Sequence, residues 1–143
     1  MNAPHLRHVA YSSRLAPGRN YGCFGEVCRQ ARAFNARQGI AGVLLFDGER
    51  FFQWLYGPVG PVDALMARIA VDPRHEAVRM HLATETPPLD VVTIWRAGFV
   101  DGDALDRFLA LRTDGDPLQA FAGIGQLLVH ADLDLLSAGA TAA

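Results

Sequence analysis

The stretch IAGVLLFDGERFFQWLYGP, residues 40–58, decides the fold. Its first seven residues are almost continuously apolar, DGER (47–50) carries turn chemistry, and a second largely apolar run extends from Arg50 to Tyr56. Two short runs on either side of a polar turn read as a hairpin whose strands are buried on both faces. Period-2 alternation along the second strand puts Phe51, Gln53 and Leu55 on one face and Phe52, Trp54 and Tyr56 on the other.

Upstream, Leu6 to Ser13 alternates loosely and runs into LAPGRN (15–20), a strand followed by a loop. From Asn20 the period changes: Phe24, Val27, Cys28, Ala31, Phe34 and Asn35 recur at three- and four-residue steps, one stripe of a helix that Gly39 ends. Downstream, GPVGPVDALMARIAVD (57–72) has helical spacing at Val62, Leu65, Met66 and Ile69, with prolines near its start, where a helix tolerates them. Glu76–Thr84 and Val91–Val100 read as strands separated by Pro87 and Pro88. Asp103–Leu111 and Pro117–Leu136 read as helices joined by RTDGD, and the tail AGATAA as frayed.

The order βαββαββ predicts an α+β, ferredoxin-like mixed sheet with two helices on one face. Because the hairpin is apolar on both faces, the other face needs a cover, which the two C-terminal helices or a second subunit would supply. The expected organisation is a domain over residues 1–101 and a helical extension over 102–143 packed on it.

Composition excludes several classes. In 143 residues, 50% are apolar and 20% charged, an ordinary globular balance. The net charge is −2, and the 13 basic residues are all Arg in no nucleic-acid-binding pattern. No stretch approaches the roughly eighteen apolar residues of a membrane span, so a cytoplasmic protein is expected. Cys23 and Cys28 lack companions at metal-ligand spacing and read as buried free thiols.

Three polar side chains stand where a core should be. Gln53 lies inside the apolar strand, Asn35 on the apolar stripe of the first helix, and Tyr11 on the strand that the ferredoxin-like order sets beside Gln53. Each alone is most simply a core residue satisfied by its neighbours. Three converging beneath the helices suit a planar, mostly apolar ligand with carbonyls and an N–H along one edge, a description an isoalloxazine ring fits.

Quoted in order, AYSS (10–13), FNARQGIAGVLLF (34–46), FFQWLYGP (51–58), VDPRHEAV (71–78) and IWRAGF (94–99) resemble the BLUF family of flavin-binding blue-light sensors over about Leu6 to Val100. The resemblance implies a noncovalent flavin, FAD with FMN or riboflavin as alternatives. It makes Tyr11 the photochemical electron and proton donor, and Gln53 the amide that switches its hydrogen bonds as a tautomer or rotamer. Asn35 becomes the anchor at the ring's carbonyl edge and Trp95 a signal-responsive residue. It adds Phe34, Ile40, Asp72, Arg74 and His75 to the cofactor-binding set. The sequence departs from the family's pattern at Phe34, where Asn or His is usual, at Ala41, at Tyr56, at Ala97, where Met is common, and at Val91 and Val92.

His75 has two readings, a helix-terminal residue interacting with the dipole or a flavin-site residue. Arg29, Arg32 and Arg37 read as a solvated helix face within reach of a phosphate tail. No enzyme motif appears; Arg14, Arg19 and Asn35 can be imagined in an acylphosphatase-like site, but that family's loop is absent. The remaining alternative is a light-inert or flavin-free interaction module. With no effector segment before Ala143, output is expected through an unidentified partner protein, the sensor itself forming a homo-oligomer.

Overall fold

The computed structural model describes residues 5–20, 22–86, 95–111, 117–130 and 134–135. The elements are β1 (Leu6–Leu15), α1 (Gly22–Gln38), β2 (Ala41–Phe46), β3 (Arg50–Pro58), α2 (Val59–Ala70), β4 (His75–Thr86), β5 (Trp95–Phe99), α3 (Gly102–Leu109), α4 (Pro117–His130) and β6 (Asp134–Leu135). They build a six-stranded sheet in the order β4-β1-β3-β2-β5-β6, antiparallel except where β2 meets β5. Its first four strands have the ferredoxin-like order expected from βαββαβ.

The hairpin forms as read. Asp47 Oδ1 accepts the backbone N–H groups of Glu49 (2.9 Å) and Arg50 (2.7 Å), which closes the turn. Strand β3 is buried from Phe51 to Gly57, so both its faces are covered. A Cβ at Gly42 would collide with the backbone carbonyl of Trp54, which makes glycine the residue this strand crossing admits.

Two cores lie back to back. Beneath α1 and α2, Val9, Phe24, Ile40, Leu44, Phe51 and Leu55 pack with Trp95 and Ala97. On the opposite face Phe52, Trp54 and Tyr56 pack with Leu105 and Phe108 of α3 and Ile124 of α4, so the C-terminal helices supply the cover. Asp101 caps α3 by accepting the Ala104 N–H at 2.7 Å.

Several boundaries differ. Asn20 lies outside α1, its Oδ1 accepting the Gly22 N–H at 3.0 Å. The last helix stops at His130, and Asp134–Leu135 is not helical but pairs with Gly98 and Phe99. The reason is the exposed ladder of β5, which this short strand satisfies. Strand β4 runs to Thr86, and its pairing with β1 slips on either side of Tyr11 and Ser12, between Ala10 and Tyr11 and again between Ser12 and Arg14. The readings on Pro87, Pro88, residues 91–94, RTDGD and the tail lie outside the described residues. Cys28 is a buried free thiol, and burial pushes its pKa up to about 11.

Candidate functional site

Tyr11 and Gln53 are register partners on β1 and β3, so their side chains emerge together on the α1/α2 face. Gln53 Nε2 donates to Tyr11 Oη at 2.6 Å, and Gln53 Oε1 accepts from Trp95 Nε1 at 3.0 Å. All three residues are buried. Burial holds the Tyr11 phenol well above its ordinary pKa; the Gln53 hydrogen bond opposes this and the charge of Asp72 adds to it. The phenol therefore keeps its proton throughout the physiological pH range.

Asn35 is positioned by the end of α1. Gly39 takes a left-handed φ of 70°, and the Ile40 N–H bonds back to the Asn35 carbonyl at 3.0 Å, a Schellman closure. This sets the fully buried Asn35 side chain under the helix, with neither amide atom hydrogen-bonded. Leaving a buried amide without a partner costs about 1–3 kcal/mol, so the unused donor and acceptor favour any polar group that enters the adjoining space.

Tyr11, Asn35 and Gln53 line a cavity of about 600 Å³, within the range of small-molecule sites. Leu44 and Phe51 of the sheet, Val27, Ala31 and Phe34 of α1, and Leu65 and Ile69 of α2 make most of it apolar. A flat ring with one polar edge fits this set: the Asn35 amide offers a donor and an acceptor, and Tyr11 and Gln53 border the same space.

Polar residues from the end of α2 complete the lining. The Arg74 guanidinium grips Asp72, with Nε at 3.0 Å from Oδ1 and Nη2 at 2.6 Å from Oδ2, while Nη1 reaches Gln30 of α1 at 3.2 Å. That grip, against the effect of burial, holds the Asp72 carboxyl below its usual range. His75 Nε2 lies 2.6 Å from the Ile69 carbonyl, which can only accept, so this nitrogen carries a hydrogen; Nδ1 meets Ser13 Oγ at 2.7 Å. His75 thus secures the end of α2 and lines the cavity.

Of the residues expected to bind a cofactor, Tyr11, Phe34, Asn35, Gln53, Asp72, Arg74 and His75 line the cavity together. Ile40 lies just behind this lining: its N–H closes α1 and its side chain is buried in the same core cluster as Val9, Leu44 and Phe51. Trp95 is not in the lining and reaches the site through Gln53. Arg14 is exposed on β1 and does not join Arg19 at the cavity, so the phosphatase-like grouping does not assemble. Ser13, Gln30 and Arg68 were missed. Alternation from Tyr11 marks Ser13; no local signal marks Gln30 or Arg68, whose partners lie on other elements.

A ferredoxin-like sheet with a ligand-sized cavity under its helices, bordered by a phenol and an amide that is bonded in turn to an indole behind it, defines an α+β domain with a site of small-molecule dimensions. The chain belongs to the BLUF family, described as sensors of blue light using FAD, whose model matches residues 6–88. Photoactivated adenylate cyclase subunit beta of Euglena gracilis is 34% identical over 76 residues, 52% of this chain and 9% of that protein. The dark-state structure of BlrB, a BLUF protein, aligns with a TM-score of 0.66 at 23% identity over 89% of this chain and 97% of that one. Klebsiella pneumoniae BlrP1 in its calcium/cyclic-di-GMP complex aligns with a TM-score of 0.61 at 24% identity, over 90% of this chain and 29% of that one. These structural likenesses establish the fold. Among the described residues no helix is long and apolar enough to cross a membrane.

Proposed function

We propose that the protein is a cytoplasmic blue-light photoreceptor that holds a flavin noncovalently in this cavity and reports its excitation through Tyr11, Gln53 and Trp95. The observation that carries the reading is the Gln53 amide, which joins the Tyr11 phenol to the Trp95 indole at the edge of a cavity containing an unpaired Asn35. A bound flavin, FAD in our reading with FMN or riboflavin as alternatives, would supply blue-light absorption and an electron acceptor.

The rest is the work of this chain's residues. Because burial keeps Tyr11 protonated, loss of an electron from the phenol has to be accompanied by loss of its proton. Gln53 uses both ends of its amide, so a half-turn of the side-chain amide is costly to one neighbour and useful to the other. It brings Oε1 to Tyr11 Oη as an acceptor for the phenol hydrogen, and it sets Nε2 against Trp95 Nε1, donor facing donor. Trp95 then has no partner in Gln53, and β5, which it begins, carries the change out of the site. Asn35 would anchor the ring edge; Phe34, Asp72, Arg74 and His75 would shape the remaining wall. Residues 1–101 form the sensing unit, and α3 and α4 of the 102–143 extension present the surface read by an effector protein or a second copy.

The test is the visible absorption spectrum of protein purified from flavin-rich cells, recorded in darkness, after blue light and during recovery. A yellow protein with a reversible red shift, lost in Gln53→Leu and Tyr11→Phe, is the expected result. A protein that stays colourless after flavin addition would sink the reading and leave an interaction module.

A further inference from the structure

Four charged side chains line the cavity, Arg19, Arg68, Asp72 and Arg74. Asp72 and Arg74 satisfy each other, and Arg74 also holds Gln30. Arg19 and Arg68 have no carboxylate partner among the described residues, and both are exposed. Arg68 is held in place differently: its guanidinium carbon sits 4.9 Å over the ring of Phe34, spanning from α2 to α1 beside the cavity. In a chain of net charge −2 this is a local excess of positive charge.

We infer that the cavity discriminates among flavins by their phosphate, taking FMN and FAD in preference to riboflavin through Arg68, seated on Phe34, and Arg19. The inference rests on the flavin reading above. The isoalloxazine ring is common to all three compounds and cannot separate them. A phosphate at the end of the ribityl chain would meet two guanidinium groups not engaged by carboxylates, and guanidinium forks bind phosphate oxygens well. Phe34 takes on a meaning here: where the family's pattern has a polar residue, this chain has an aromatic seat for a cation. Since both arginines are exposed, their attraction is screened by salt, whereas packing around the ring is not.

The experiment is titration of the flavin-free full chain with riboflavin, FMN and FAD, followed by flavin fluorescence at low and high KCl, for the unaltered protein and for Arg68→Ala, Arg19→Ala and the double variant. The expected result is FMN and FAD bound at least about tenfold more tightly than riboflavin at low salt, as charge-assisted hydrogen bonds would give. That ratio should shrink in high KCl and approach one in the double variant, with riboflavin affinity altered by less than about twofold. Equal affinity for all three flavins in the unaltered protein overturns the discrimination and leaves the flavin reading standing. A preference that survives both substitutions overturns the assignment to these arginines. Binding of none of the three overturns the flavin reading and the inference together. The salt response of the unaltered chain keeps the test decisive even if a variant fails to fold.

Discussion

Strand β3 has two faces that are equally buried and built to different ends. On one, Phe52, Trp54 and Tyr56 close against Leu105, Phe108 and Ile124 in a continuous apolar layer. On the other, Phe51, Gln53 and Leu55 share their space with Tyr11, Asn35 and a cavity of about 600 Å³. The first face has interior-like packing; the second gives up packing and leaves an amide unpaired. On the proposed function, stability and ligand recognition are divided between opposite sides of one strand, and substitutions on the two sides should separate them.

The largest expected effect is on the packed side. Phe52 is buried, its ring centroid 5.3 Å from that of Phe108. Phe52→Ala should cost about 3–5 kcal/mol in denaturant unfolding through the cavity it opens, while flavin affinity measured under folding conditions stays within about twofold. A variant that folds yet loses flavin would show that the two faces are not independent.

His8 provides the next effect, again on the packed side. It is fully buried, edge-on to Trp54 at 5.7 Å and to Tyr56 at 6.1 Å, and burial lowers its pKa from 6.5 to about 4. Between those values the unfolded chain binds a proton that the folded chain refuses, so stability falls as pH drops from about 6.5 to about 4, by up to about 3 kcal/mol in total. His81 is lowered as well, chiefly by burial, and adds to the same trend. The depressed Asp72 contributes stability that is lost at lower pH, as the carboxyl protonates through its folded value. Unfolding free energies across pH 4–7 should therefore slope more gently in His8→Gln than in the unaltered protein; identical slopes would remove His8 as the cause.

How far the sequence reveals this division depends on the range of the interaction. Alternation alone separates Gln53 from Trp54, because a strand side chain's face is set by parity. The adjacency of Tyr11 and Gln53 follows from βαββαβ order, and the end of α1 at Gly39 from the one residue type that takes its backbone angle without strain. Contacts made by distant segments leave no such mark. Gln53 and Trp95 are 42 residues apart, and the seat of Arg68 on Phe34 depends on how two helices approach. Strand β6 was misread because the leucine spacing near Leu135 suits a helix, and only the open ladder of β5 makes it a strand.

Asn35 offers the smallest effect in stability and the sharpest test of the comparison, because its sign should invert. On the packed face, shortening a side chain weakens the fold and spares the ligand. At Asn35 the amide is fully buried and has no protein hydrogen bond, so the flavin-free chain carries a desolvation cost that a ligand would relieve. Asn35→Leu keeps the approximate volume, removes that cost and leaves the Schellman closure intact, since the Ile40 N–H bonds to the backbone carbonyl of residue 35. The flavin-free variant should gain up to about 1 kcal/mol in unfolding, water in the cavity offsetting part of the benefit, and should bind flavin roughly tenfold more weakly or worse. A residue whose removal stabilises the empty protein and weakens the complex is held for the ligand. If Asn35→Leu instead destabilises the flavin-free chain, Asn35 is a packing residue and the cavity face is less open to a ligand than its unpaired amide indicates.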